Sequence, residues 1–372
     1  MDNNRHHEHK PALGASLYVP TTHKDLLAIA NGDKLGQLRS VIFCLEDAIA
    51  ERDLSYALFN LSLALRNMSE QSGTLRFVRV RNPEVLGRVL AMPGAHKLTG
   101  FVLPKTTRRN FDAYFNQLAH TSHLLMPTLE TSEVFDDDEM KRLRKVLSAP
   151  KVRPRILALR IGGNDLLALL GLRRPASGTI YQTALGQVIG RLVTTFRPHG
   201  FQLSAPVFEH IAQRDWLDAE VAQDMAHGLV AKTAIHPDQV AQIERHYQVA
   251  PLDVDLALRI VDPEDAAVFR ERESMCEAAT HHPWALQILE QACQFGMRQP
   301  DDNIDKWASQ NGGASLTGAP GADVEAELGI RTGPVADHDA DLPAERSAGL
   351  QTNPVPPAPP ARTITDQGEA RS

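Results

Sequence analysis

"SVIFCLED", residues 40–47, runs an apolar stretch from Val41 to Leu45 straight into two adjacent acids, Glu46 and Asp47. A strand buried on both faces reads as such an unbroken run, and a carboxylate pair can follow only where the chain leaves the core. The same texture recurs in "ASLYVP" (15–20), "RFVRVR" (76–81), "GFVLPK" (100–105), "HLLMPTLE" (123–130), "RILALRIGG" (155–163), "GFQLSAPVF" (200–208) and "LVAKTAIHP" (229–237). Between the runs lie segments such as 53–70 and 136–149, with apolar residues at helical spacing and acids in the opening turn. Strand and helix alternating eight times over roughly 240 residues predict an α/β chain folded as a (β/α)8 TIM barrel. The first run continues "YVPTTHKD" (18–25) without GxGxxG, which argues against an open dinucleotide-binding sheet.

Composition narrows the function classes. Hydrophobic residues make up 42% of the 372, enough for a large core, and the formal charge of −7 leaves no basic footprint. Nucleic acid and membrane surfaces are therefore not expected as partners. Three cysteines, Cys44, Cys276 and Cys293, without CxxC spacing fit a reducing cytoplasm, and no apolar leader or spanning stretch is seen. His6, His7 and His9 read as part of a flexible tail over 1–13 rather than a metal site, because nothing fixes their geometry. The barrel is expected over 14–250 and a C-terminal helical extension over 251–298, with helices in "DVDLALRIV", "PEDAAVFRERESMCEAA" and "PWALQILEQACQFGM". These could pad the barrel, close over its mouth or meet a neighbouring subunit. Residues 299–372, rich in Pro, Gly and Ala, read as a disordered tail, extended near Pro354 to Pro360.

In this fold the carboxyl ends of the strands form the mouth where active sites are built. Polar residues fall there repeatedly: Glu46 and Asp47, Arg79 and Arg81, Lys105, Glu130, Asp165, and Lys232 with His236. Glu130 and Asp165 suit a hard cation such as Mg²⁺, which takes one or two carboxylates and fills its remaining positions with water and substrate oxygens. Arg79 has the fork for a substrate carboxylate, although pairing with Glu46 or Asp47 would use it equally well. Gly162, Gly163 and Asn164 precede Asp165 in a turn where backbone can approach a ligand, and His236 stands where it could cap a helix or orient a mouth residue.

In chain order, "SLYVP", "CLEDAI", "FVRVRNP", "FVLPKT", "MPTLET", "RIGGNDLLALLG" and "KTAIHPDQV" resemble the strand-end signatures of the citrate lyase β-subunit-like lyases of the HpcH/HpaI aldolase and citrate lyase superfamily, over about residues 14–250. The chain is similar also to a divergent bacterial subgroup found among tellurium-resistance and stress-response genes. The resemblance implies a Mg²⁺-dependent lyase that cleaves or condenses a carbon–carbon bond of a carboxylate-bearing substrate, a coenzyme A thioester among the candidates, through a metal-stabilised enolate. It assigns Glu130 and Asp165 to the metal and Arg79 to the substrate carboxylate, and places Glu46 and Asp47 as the acidic pair beside them. Arg81, Lys105, Gly162, Gly163, Asn164 and His236 complete the expected substrate-binding set.

Some features depart from the family. Arg81 is an extra cation in a motif that usually reads Arg-x-Asn-Pro, and "CLEDA" lacks the histidine of the hydroxy-acid aldolases. The resemblance further implies a homo-oligomer, with Glu277 in the region of an acidic lid residue given to a neighbour. The alternatives are a 2-keto acid aldolase that does not use coenzyme A, and an inactive metal- or metabolite-binding barrel acting through partners in a stress response.

Overall fold

The computed structural model describes residues 11–299 apart from positions 263, 265 and 272. The histidines of the N-terminal tail and the segment from 300 onward, proline run included, lie outside the described residues. Eight strands, β1 Gly14–Pro20, β2 Ser40–Cys44, β3 Leu75–Arg79, β4 Gly100–Leu103, β5 Leu124–Leu129, β6 Leu159–Ile161, β7 Leu203–Ala205 and β8 Ala231–Ala234, pair in sequence order and close between β8 and β1. Every pairing in this barrel is parallel. Around it run α1 Leu26–Asn31, α2 Leu54–Asn67, α3 Pro83–Leu90, α4 Phe111–Phe115, α5 Asp137–Leu147, α6 Gly163–Leu169, α7 Ala184–Phe196, α8 Arg214–Ala226 and α9 Pro237–Tyr247.

Both faces of the strands are buried, which is why the runs are continuously apolar. Ile42, Phe77, Val102, Met126, Ala158 and Ala231 pack together inside the barrel, while alternating neighbours such as Val41, Phe43, Val78, Phe101 and Leu125 meet the helices. Helix ends follow local chemistry. The Asp136 side chain accepts from the amides of Asp138 and Glu139 to start α5, and Asn82 accepts from the Val85 amide where Pro83 opens α3.

Beyond the barrel come α10 Pro251–Val261, the antiparallel hairpin of β9 Val268–Glu271 and β10 Ser274–Glu277, and α11 Ala278–Phe295. The middle segment, expected to be helical, instead holds a hairpin of two four-residue strands. Its alternation outweighs its helical propensity: Phe269 packs on the cluster of Ala257, Ile260 and Ala285, and its cross-strand partner Cys276 is buried, while Val268 and Met275 are exposed. Helix α11 sits at the amino-terminal end of the barrel, not over its mouth. Gln291 donates to the Tyr247 carbonyl, the Phe295 ring lies 5.1 Å from that of Tyr247, and a cavity of about 230 Å³ between them is lined by Leu13, Gln202, Val230 and Trp284.

Candidate active site

Strand β2 stops at Cys44, and the Leu45 amide continues the ladder to the Arg79 carbonyl. That pairing sets Glu46 and Asp47 beside Arg79, the last residue of β3. Arg79 Nη2 lies 2.6 Å from Glu46 Oε2, 3.0 Å from Asp47 Oδ2 and 3.0 Å from Glu130 Oε1. One nitrogen thus ties together the ends of three strands. The guanidinium carbon is 5.9 Å from the centre of the Tyr18 ring, which rises from β1.

Lys105 follows β4 with φ of +46°, a left-handed conformation that is uncommon for a residue with a side chain. The turn directs its amide to Glu130 Oε1 at 2.8 Å while Nζ reaches Glu46 Oε1 at 2.7 Å. Asn110 holds the turn by donating to the Lys105 carbonyl, and the same ammonium is 3.9 Å from Asp165 Oδ1 in the first turn of α6. Six of the expected residues, Glu46, Asp47, Arg79, Lys105, Glu130 and Asp165, therefore meet in one cluster.

Glu130 is its most deeply placed acid, with 2% of its surface exposed. Burial pushes its carboxyl up to about 7, with repulsion from Asp165 adding to the shift and Arg79 opposing it. Burial also raises Glu46, helped by its neighbour Asp47. For Asp47 burial works in the same upward sense but is outweighed by the hydrogen bond to Glu46 and by Arg79 and Lys105, which hold it below the usual range. Glu130 Oε2 and Arg79 Nε are buried and find no hydrogen-bond partner among the described residues. Unmet polar groups at such depth are the ones a bound ligand would satisfy.

Gly162 explains how Glu130 fits. Its φ of −86° is ordinary, so glycine is needed for space rather than for a special turn. A Cβ there would stand 2.4 Å from both Cβ and Oε2 of Glu130. Gly162→Ala is expected to push Glu130 aside, costing about 1–3 kcal/mol of stability, the scale of overpacking, and weakening divalent-ion binding. Urea unfolding and a metal titration of the variant check both.

The other expected residues go elsewhere. Arg81 adds no charge to the mouth, because its guanidinium donates to the carbonyls of Leu45, Glu46 and Ile49 and pairs with Glu51, bracing the loop after β2. Asn164 Nδ2 donates to Glu209 Oε2 at 3.1 Å, and Gly163 packs against Pro206. His236 caps α9 by accepting from the Asp238 amide. Lys232 points outward to Glu220 and Asp224 of α8, since the pleat sends its neighbours Ala231 and Thr233, not Lys232, into the barrel. Glu277 does not reach the mouth of its own copy; it accepts from Thr280 at the start of α11.

Two residues at the site escaped the sequence reading. Tyr18 lies between Arg79 and Arg160, and Arg160 projects from β6 into the barrel beside Met126 and Thr233. Their signal was parity: Arg160 stands two residues before Gly162 in a run whose inward positions are otherwise small or apolar.

A closed parallel barrel with acids and cations gathered at its carboxyl end has the arrangement of a TIM-barrel enzyme site. Residues 7–297 match the family of C–C bond lyases of the TIM-barrel fold, and the chain belongs to that family. Among curated proteins it is 27% identical over 261 residues to a (3S)-malyl-CoA thioesterase of Cereibacter sphaeroides, covering 69% of this chain and 83% of the relative. Among solved structures it resembles CitE of Mycobacterium tuberculosis in complex with magnesium, acetoacetate and coenzyme A, with a TM-score of 0.58 and 19% identity over 76% of this chain and 99% of that one. It also resembles a Haloferax volcanii malate synthase magnesium/glyoxylate complex, with a TM-score of 0.55 and 13% identity over 82% and 97%. At these identities the solved structures speak for the shared fold.

Proposed function

We propose that the chain is a Mg²⁺-dependent carbon–carbon lyase acting at the barrel mouth on a carboxylate-bearing substrate, with a coenzyme A thioester as its acyl form. The observation that carries the reading is the convergence of Arg79, Lys105 and four carboxylates on one mouth, with Glu130 Oε2 and Arg79 Nε buried and unmatched. The donor types suit the ion: carboxylate oxygens are hard ligands, and Mg²⁺ commonly rests on one or two of them with water and substrate oxygens completing its shell. Glu130 and Asp165 would hold it. When bound, the ion supplies Lewis-acid polarisation of a carbonyl and offsets the negative charge that develops as the bond breaks.

The protein's own groups do the positioning. Glu46 braces Arg79 with one oxygen and Lys105 with the other, so both cations keep their place against a bound anion. The Nε edge of Arg79 is left to grip a substrate carboxylate, and the buried setting strengthens that bond. Glu277 reaches no mouth residue of its own copy among the described residues, so a lid role for it belongs with a homo-oligomer.

A second reading rests on the curated relatives, whose name describes hydrolysis of a thioester. Products separate the two. Incubated with Mg²⁺ and malyl-CoA, a lyase breaks the bond between the α-carbon and the hydroxyl-bearing carbon, the hydroxyl proton leaves and the α-carbon gains one, giving acetyl-CoA and glyoxylate. A thioesterase gives malate and free coenzyme A. Malyl-CoA probes the kind of bond broken rather than the preferred keto acid: glyoxylate is expected from it, and malate with no glyoxylate would transfer the proposal to thioester hydrolysis.

A further inference from the structure

Beneath the mouth lies a second polar layer that the roles above do not use. Thr128 of β5 pairs in register with Arg160 of β6, and Arg160 with Ser204 of β7, so the three side chains share the inner face of the barrel. Arg160 is 2% exposed. Its Nη2 donates to Thr233 Oγ1, its Nη1 lies 3.9 Å from Met126 Sδ, and its guanidinium carbon stands 5.5 Å from the centre of the Tyr18 ring.

No carboxylate pairs with Arg160 among the described residues, so no anion of the protein offsets its charge there. Thr128 Oγ1 and Ser204 Oγ beside it are buried and also without partners. A buried cation held by one hydroxyl and an aromatic ring, with two further hydroxyls unmet beside it, is costly unless an anion joins it. The balance of charge agrees. Glu46, Asp47, Glu130 and Asp165 face Arg79 and Lys105 at the mouth, and a divalent ion there would turn the excess positive once Arg160 is included.

The layer sits one step below the mouth. Thr128 and Arg160 each precede by two residues the pair Glu130 and Gly162, a drop of about 6–7 Å along a strand. A short substrate held at Glu130 by one end would reach Arg160 with the other.

We propose that Arg160, with the hydroxyls of Thr128, Ser204 and Thr233, forms a second carboxylate subsite inside the barrel, so that the keto acid handled at the mouth is a dicarboxylate. This rests on the lyase reading, and the test separates the two. Calorimetric titration with oxaloacetate and with pyruvate, in Mg²⁺, compares wild type with Arg160→Met and Arg160→Lys. Wild type is expected to favour oxaloacetate by about 10- to 100-fold, the worth of a buried charged hydrogen bond. The preference should fall below about threefold in Arg160→Met and persist in part in Arg160→Lys, with pyruvate and Mg²⁺ affinities little changed.

Wild type binding the two acids equally, or Arg160→Met keeping the preference, would overturn the subsite and leave the mouth reading intact. Binding of neither acid by wild type would overturn both. Equal binding by wild type overturns the subsite whether or not a variant folds, and Arg160→Lys, which keeps the charge, stands in should Arg160→Met fail to fold.

Discussion

Asp165→Ala is expected to lose divalent-ion binding and to slow carbon–carbon cleavage by about 10³-fold, the scale of several kcal/mol of lost Lewis-acid stabilisation. The side chain is only half-buried, and its nearest cation is Lys105 at 3.9 Å, so it contributes little to holding the barrel together. The melting temperature should therefore change by no more than about 2 °C, as for an ordinary surface substitution. Steady-state assay and thermal unfolding on one preparation separate the effects. A variant that keeps its rate would show that the ion, or the reaction, does not depend on α6.

The largest effect on stability is expected at Lys232. Its ammonium is fully buried, 2.9 Å from Glu220 and 2.7 Å from Asp224. Glu220 is shared further with Arg174 and with the Ile180 amide, and Asp224 accepts from the Tyr181 hydroxyl. Removing the central cation leaves two buried acids with too little positive charge, and breaking a buried pair from one side costs about 3–5 kcal/mol. Lys232→Met should lower the urea midpoint accordingly at pH 8.

The deficit should shrink towards pH 5. Burial already raises Asp224 to about 6 in the intact network, despite the opposing charge of Lys232, and loss of that charge raises it further. A carboxyl whose folded pKa exceeds its unfolded value binds more protons in the folded state, so stability rises as pH falls through that window. Unfolding curves at pH 5 and pH 8 check the sign.

The barrel was legible because each strand is buried on both faces and is followed by a helical segment, several of them amphipathic with a capping side chain at the start. The acids and cations of the mouth were legible for a related reason: a charge placed directly after an apolar run has to leave the core where the strand ends. Side-chain direction was harder to read. Lys232 looked like a mouth residue until the pleat turned it outward onto α8, while Arg160, hidden in an apolar run, turned inward.

Arg81 stood two residues from Arg79 yet closed a loop, because three backbone carbonyls beyond β2 needed a donor. Glycine misled in another way. Gly162 suggested a turn that only glycine could make, whereas its φ of −86° is open to any residue and the missing side chain is the space that Glu130 occupies. The hairpin of β9 and β10 was obscured by short strands of four residues each, too brief for alternation to stand out against a helical reading.

The central claim is that the mouth binds Mg²⁺ and a keto acid together, through Glu130. Calorimetric titration of Mg²⁺ into metal-free protein, with and without oxaloacetate, for wild type and Glu130→Ala, tests it most directly. The account predicts binding that oxaloacetate tightens in wild type and that is lost in the variant. Equal Mg²⁺ binding by both proteins, or none by wild type, would contradict it.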